Sequence, residues 1–281
     1  MNANAMSVDV EDYFQVAALA AAYPRECWDE QPQRVGRNTH RVLDLFARHG
    51  VKATFFTLGW VAERHPELVR RIVDEGHELA SHGYDHRRVT ELDAASFRED
   101  LARAKGLLED LGGVPVKGYR APSFSIDQRT PWAAGCLAET GHRYSSSVYP
   151  VKTDHYGMPD APREPYYPEF GLDLLELPLA TARFGGRNVP VAGGGYFRLL
   201  PYAVSKAAMR RVNRRDGRPC IFYCHPWEID PDQPRQRRAG ARSAFRHYVN
   251  LHRMAGRLRA LGRDFAWDRM DRAFAADIDG A

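Results

Sequence analysis

The eight residues 51–58, VKATFFTL, limit the fold of this chain more than any other segment. They form a continuous apolar run of strand length, rich in β-branched and aromatic residues. A strand without alternation needs cover on both faces, which is the situation of a parallel sheet sandwiched by helices. The surrounding pattern agrees. Residues 6–10 (MSVDV) read as a short strand ending in Glu11-Asp12. Asn38 or Thr39 can cap a helix through Val42, Leu45, Phe46 and His49, stopped by Gly50. A helix from about 66 to 75 carries Leu68, Val69 and Ile72 on one face, and residues 77–81 form the next strand. Phe97, Leu101, Ala104 and Leu108 place a helix over about 93–111, ended by Gly112-Gly113 and followed by a strand at 116–119. This alternation predicts an α/β fold with a parallel sheet.

Beyond it, residues 145–169 are rich in Pro, Tyr, Gly and Asp and read as a long loop of the kind that often carries function. The pattern then predicts a strand at 174–179, a Gly193-Gly194-Gly195 turn and a helix over about 202–214. CIFYC at 220–224 is an apolar strand ending at His225, a basic amphipathic helix covers about 243–261, and a last strand lies near 264–267. No repeat or linker divides the chain, so a single domain over 1–281 is expected, with a distinctive C-terminal part from about residue 226.

Hydrophobic residues at 44% and charged residues at 27% describe an ordinary globular protein. No run of about 18 apolar residues predicts a membrane span, and residues 1–7 lack the basic and apolar regions of a secretory signal. Cys27, Cys136, Cys220 and Cys224 form no CxxC pair and read as reduced thiols. A cytoplasmic location is expected. The net charge is +4, but arginines crowd residues 210–263, among them Arg210, Arg211, Arg214, Arg215, Arg235, Arg237, Arg238 and Arg242. Solvated helix faces or contact with anionic lipid headgroups or nucleotide phosphates account for such a stretch. It lacks the aromatic interleaving of a nucleic-acid module, so no nucleic-acid partner is expected.

The chemistry sits at the strand ends. Asp9, Glu11 and Asp12 close one strand, His82 and His86 follow another, Arg120 a third and His225 a fourth. In parallel α/β architectures the strand C-termini share one face, and that face carries the active site. His82-x-x-x-His86 has metal-ligand spacing, and two imidazoles plus one carboxylate leave positions open for water and substrate. In an extended segment Asp9 and Glu11 point to the same side, so one can ligate a metal while the other takes a proton.

SVDVEDYF, SHGYDH, RAPSF and FYCHPWEID, in this order, resemble the polysaccharide deacetylases of the NodB-homology type (carbohydrate esterase family 4), and more narrowly the exopolysaccharide deacetylases of exosortase (PEP-CTERM) loci. The resemblance runs from Ser7 to about Trp267. It implies a distorted, incomplete (β/α) barrel and a divalent metal, zinc first, with cobalt or nickel as alternatives. By similarity Asp9 is the catalytic base, His82 and His86 are metal ligands, Arg120 pairs with the base and His225 is the general acid. Val10 stands where the family's second aspartate follows the base, which leaves Glu11, favoured for its side, or Asp12 as the metal carboxylate. The family's Asp-Trp element that buttresses the histidine has no clear counterpart, and Trp227 or Asp154 are its candidate substitutes. Tyr149, Trp227 and Pro122 are the expected substrate contacts.

The activity implied is hydrolysis of acetamido groups on an N-acetylated oligo- or polysaccharide or its lipid-linked precursor, by a cytoplasmic enzyme with peripheral contact to an anionic membrane. The alternatives are a metal hydrolase of another amide or ester and a carbohydrate-binding relic. Oligomeric state is not legible in the sequence.

Overall fold

The computed structural model describes residues 3–153, 156–169, 173–236 and 239–280. The strands are β1 (Asn4–Val10), β2 (Thr54–Thr57), β3 (Glu78–Ser81), β4 (Gly118–Tyr119), β5 (Tyr144–Ser145), β6 (Leu175–Glu176), β7 (Thr181–Phe184), β8 (Arg187–Pro190), β9 (Ile221–Cys224) and β10 (Trp267–Asp268). The helices are α1 (Val35–His49), α2 (Gly59–Arg64), α3 (Pro66–Asp74), α4 (Ala94–Gly112), α5 (Ala133–Glu139), α6 (Gly194–Leu199), α7 (Tyr202–Arg211), α8 (Ala241–Tyr248), α9 (Leu251–Asp264), α10 (Met270–Ala273) and α11 (Ala275–Asp279).

All strands except β7 and β8 join one curled parallel sheet in the order β10-β1-β2-β3-β4-β5-β6, with β9 also on β1, and the sheet forms a half-barrel. β1 is its hub. Ser7–Val10 pair with Thr54–Thr57, Ala5–Val8 with Ile221–Cys224, and Asn4–Ala5 with Trp267–Asp268. Strand alternation then sorts the side chains. Val8, Val10, Phe55 and Phe222 join one apolar cluster with Val42, Phe46 and Leu258 of the covering helices. Phe56, Ala80, Tyr144 and Tyr223, from the opposite parity, build a second cluster with Met270. Asp9 and Ser7 share that second face, which is how a carboxylate comes to stand inside an apolar barrel.

Three departures from the sequence pattern stand out. α1 begins at Val35, ahead of Asn38 and Thr39, because its cap comes from a distance: Asp12 Oδ2 accepts from the N–H groups of Arg34 and Val35 at 2.6 and 2.8 Å. The basic helix expected over 243–261 is two helices. They are broken at Asn250, whose φ is +52°, and Arg198 gathers the released carbonyls of His247 and Val249 at 2.9 and 2.8 Å. The pattern missed the antiparallel hairpin β7–β8, although a Gly185-Gly186 pair between extended segments is the usual two-residue hairpin signal. Asp154 lies outside the described residues.

Candidate metal centre and catalytic pocket

The C-terminal ends of β1, β3, β4 and β9 deliver their polar residues to one pocket. Glu11, His82 and His86 are grouped so that one ligand atom from each lies within 4.8 Å of the others. His82 follows β3 directly, and the chain turns through Gly83 (φ +75°) to His86, itself left-handed at φ +60°. The N–H groups of Gly59 and Trp60, at the start of α2, fix that turn by donating to the carbonyls of Gly83 and Tyr84 at 2.9 and 2.8 Å. The HxxxH pair therefore meets across a tight loop rather than along a helix, with ring centroids 5.3 Å apart.

The donor set fits a divalent metal. The carbonyl of Arg120 lies 2.7 Å from His82 Nδ1, so Nδ1 carries the proton and the Nε2 lone pair is left free. Burial pushes the His82 imidazolium down to about 4, keeping the ring neutral as a ligand must be. Glu11 Oε2 lies 2.7 Å from His86 Nε2 but is buried without an aligned hydrogen bond, as an atom awaiting a cation would be. Burial alone pushes the Glu11 carboxyl up, but His86, His225 and His82 outweigh it and bring it down to about 2. Asp12 does not join them. Its oxygens are spent on the amides of Tyr13, Arg34 and Val35, so it is a helix cap rather than a ligand.

Asp9 stands opposite. Arg120, fully buried, donates from Nη1 to Asp9 Oδ1 at 2.7 Å and to Ser7 Oγ at 2.8 Å, while Nε and Nη2 hold Ser146. Its guanidinium lies over the Phe56 ring at 4.1 Å. A planar cation fixed on that many sides holds Asp9 in one orientation. Asp9 Oδ2 faces His225 Nε2 at 3.8 Å, and Glu11 Oε1 lies 3.6 Å from the same nitrogen. Burial alone pushes the His225 imidazolium down, but Glu11, Glu228 and Asp9 outweigh it and raise it to about 9, so the ring carries a proton at neutral pH.

Glu228 is the residue that the sequence pattern did not single out. Its Oε2 accepts from the His225 backbone N–H at 3.0 Å and lies 3.4 Å from His225 Nδ1, the distance of an ion pair rather than of an aligned hydrogen bond. Burial pushes the Glu228 carboxyl up, but Arg198, donating to Oε1 at 2.8 Å, and His225 hold it down at about 2. Gly194 makes room for this carboxylate, because a Cβ there would sit 1.9 Å from Glu228 Oε2. The one available signal was the spacing of His225 and Glu228 on the turn that follows β9.

The three expected substrate contacts are placed differently. Trp227 is 5% exposed, stacked on His225 at 5.1 Å and on His247 at 4.3 Å, while its Nε1 donates to Glu11 Oε1 at 3.1 Å. So buried and tied to His225 and Glu11, Trp227 braces the site rather than lying open to a sugar. The Tyr149 ring is buried against Phe124 and Tyr156, and Pro122 is buried in the turn after Arg120.

A parallel half-barrel with this cluster at its strand ends is the distorted barrel of the NodB type. Residues 27–144 match the sequence model of the polysaccharide deacetylase family, and residues 146–275 match a domain of unknown function, DUF3473. Residues 27–144 thus carry a polysaccharide deacetylase domain. It is 35% identical over 96 residues to a peptidoglycan-N-acetylglucosamine deacetylase of Bacillus cereus, covering 34% of this chain and 35% of that one. It is 32% identical over 108 residues to a peptidoglycan deacetylase of Helicobacter pylori, covering 38% and 36%. The chain thus spans about a third of the length of these relatives. A Mycobacterium smegmatis protein assigned to the polysaccharide deacetylases has the same fold, with a TM-score of 0.61 at 24% identity over 98% of this chain and 89% of that one.

Proposed function

We propose that the protein is a metal-dependent N-deacetylase that hydrolyses acetamido groups of N-acetylated sugars in an exopolysaccharide or its lipid-linked precursor. The observation that carries this reading is the opposition, within one site, of a three-residue ligand set to an arginine-held aspartate and a histidine whose Nε2 lies 3.8 Å from that aspartate. The relatives named for peptidoglycan and its N-acetylglucosamine support an N-acetylhexosamine substrate, and the motifs point to the exosortase-associated group.

Glu11, His82 and His86 would hold the metal, zinc first, which when bound supplies Lewis-acid polarisation of the acetamide carbonyl and of the attacking water. Asp9, oriented by Arg120, takes the water's proton at Oδ2. His225 delivers its Nε2 proton to the departing sugar nitrogen, because an amine is a poor leaving group until protonated. Glu228 and Arg198 act through His225 by fixing its ring. The Tyr149 N–H makes no hydrogen bond among the described residues and is the donor proposed for charge developing on the carbonyl oxygen.

Among the described residues no helix is long and apolar enough to cross a membrane. The four cysteines are free, which supports a reducing, cytoplasmic setting.

The test is acetate release from N-acetylhexosamine oligomers after chelation, with zinc or cobalt restored, for the wild type and Asp9→Asn. Metal-restored activity that disappears in the variant is expected. A folded protein that binds no metal would overturn the proposal, and faster release from O-acetyl esters than from acetamides would move it to esterase chemistry.

A further inference from the structure

Far from the ligand set in sequence, the hairpin β7–β8 and helix α7 meet to form a face with an unusual charge balance. Arg187 follows the Gly185-Gly186 turn of the hairpin, and Arg210, Arg211, Arg214 and Arg215 line a shallow groove of about 520 Å³ along α7 and the turn after it. Arg211 ties the two parts together, donating to the Arg183 carbonyl at 3.2 Å and lying over the Phe184 ring at 4.7 Å. None of these five arginines has an acidic partner among the described residues. The nearby carboxylates are already taken: Arg163 and Arg218 neutralise Asp216 at 2.5 and 3.5 Å, and Lys206 neutralises Asp264 at 2.8 Å. Between these cations two apolar side chains stand open, Phe184 at 47% and Val189 at 39% exposure. Alternation along the hairpin puts both on the same face as Arg187.

Unpaired cations have no use for one another, and exposed apolar groups among them gain nothing from water. An anionic bilayer surface satisfies both, since phosphates meet the guanidinium groups while an aromatic ring enters the interface. A soluble polyanion satisfies only the charges. We propose that this face docks the protein on an anionic lipid membrane, with the arginines on headgroup phosphates and Phe184 and Val189 in the interfacial layer. The claim needs neither metal nor turnover, so it stands or falls separately from the deacetylase reading.

The experiment is co-sedimentation of the full chain with phosphatidylcholine vesicles, with and without phosphatidylglycerol, beside retention on immobilised heparin as a lipid-free polyanion. Binding is expected only with phosphatidylglycerol and is expected to fall as salt rises. Arg214→Gln with Arg215→Gln should weaken partitioning roughly 30-fold. Phe184→Ser should weaken vesicle binding and leave heparin retention unchanged. All these residues are on the surface, and matching thermal melts would show that the variants fold. No sedimentation with phosphatidylglycerol at low salt would overturn the proposal, as would binding that the arginine pair does not change. Heparin and vesicle binding that both ignore Phe184→Ser would reassign the face to soluble polyanions and overturn it equally.

Discussion

The two sides of the pocket are built on different scales of the chain. The ligand side uses short range. His82 and His86 share one tight loop, and Glu11 continues β1, which pairs directly with β2 and, through it, with β3. The proton side uses long range. His225 is held by Glu228, Glu228 by Arg198 on α6, and Arg198 by carbonyls of the α8–α9 break, while His247 of α8 backs Trp227. The family match at 27–144 contains His82, His86 and Arg120, whereas His225, Trp227 and Glu228 lie in the DUF3473 match and Asp9 and Glu11 precede both. Ligand geometry tolerates a local solution because a metal organises its own donors. The proposed proton donor has no such organiser, so the protein must enclose its ring from several directions.

That contrast can be broken. His82→Ala should abolish both metal binding and acetate release, read by metal analysis and by activity after zinc is added back. Asp9→Asn and His225→Ala should retain the metal and lose about 10²–10⁴-fold in rate, the usual cost of removing an acid–base group. Glu228→Gln sharpens the comparison. A positioning role predicts a kcat loss of about 10–100-fold on acetamides and a far smaller loss on an activated aryl acetate, whose leaving group needs no proton. Equal losses on both substrates would mean that Glu228 only maintains the fold.

The smallest effect concerns the seam between the sides. Asp230, one residue past the His225–Ile229 turn, is held by Arg34 at 2.6 Å and by Arg37 and Asn38 at 3.0 Å. Burial pushes its carboxyl up, but Arg34, Asn38 and Arg37 outweigh it and bring it down to about 2. A folded value below the unfolded one gives stability that is present above about pH 4 and lost as pH falls towards 2. Asp230→Asn should cost on the order of 1–2 kcal/mol at pH 7, with the difference from wild type closing in acid. Thermal melts across that range measure it.

The sequence shows this same division. Period and caps locate β1, β2, β3 and α4, and the strand-end rule places Asp9, Glu11, His82, His86, Arg120 and His225 at one rim. Asp12 misleads because a carboxylate beside two others reads as a ligand, while its acceptors are claimed by a helix start more than twenty residues on, at Arg34 and Val35. Trp227 misleads because an aromatic near a sugar site suggests stacking on sugar, and only packing shows it buried and stacked on His225 and His247. Glu228 and Arg198 escape notice because their meaning lies in each other, thirty residues apart.

The position of β1 sets a condition on how the chain acquires its shape. This first strand takes its partners from both ends of the sequence, and Ser7 reaches Phe222 across 215 residues. A nascent chain leaving the ribosome therefore carries one open β edge until β9 has been made. Closure so remote makes for slow folding and a long exposure of strand edges, and chaperones recognise intermediates of that kind. Moving β1 to the C-terminus by circular permutation would bring it next to β10 and shorten that wait.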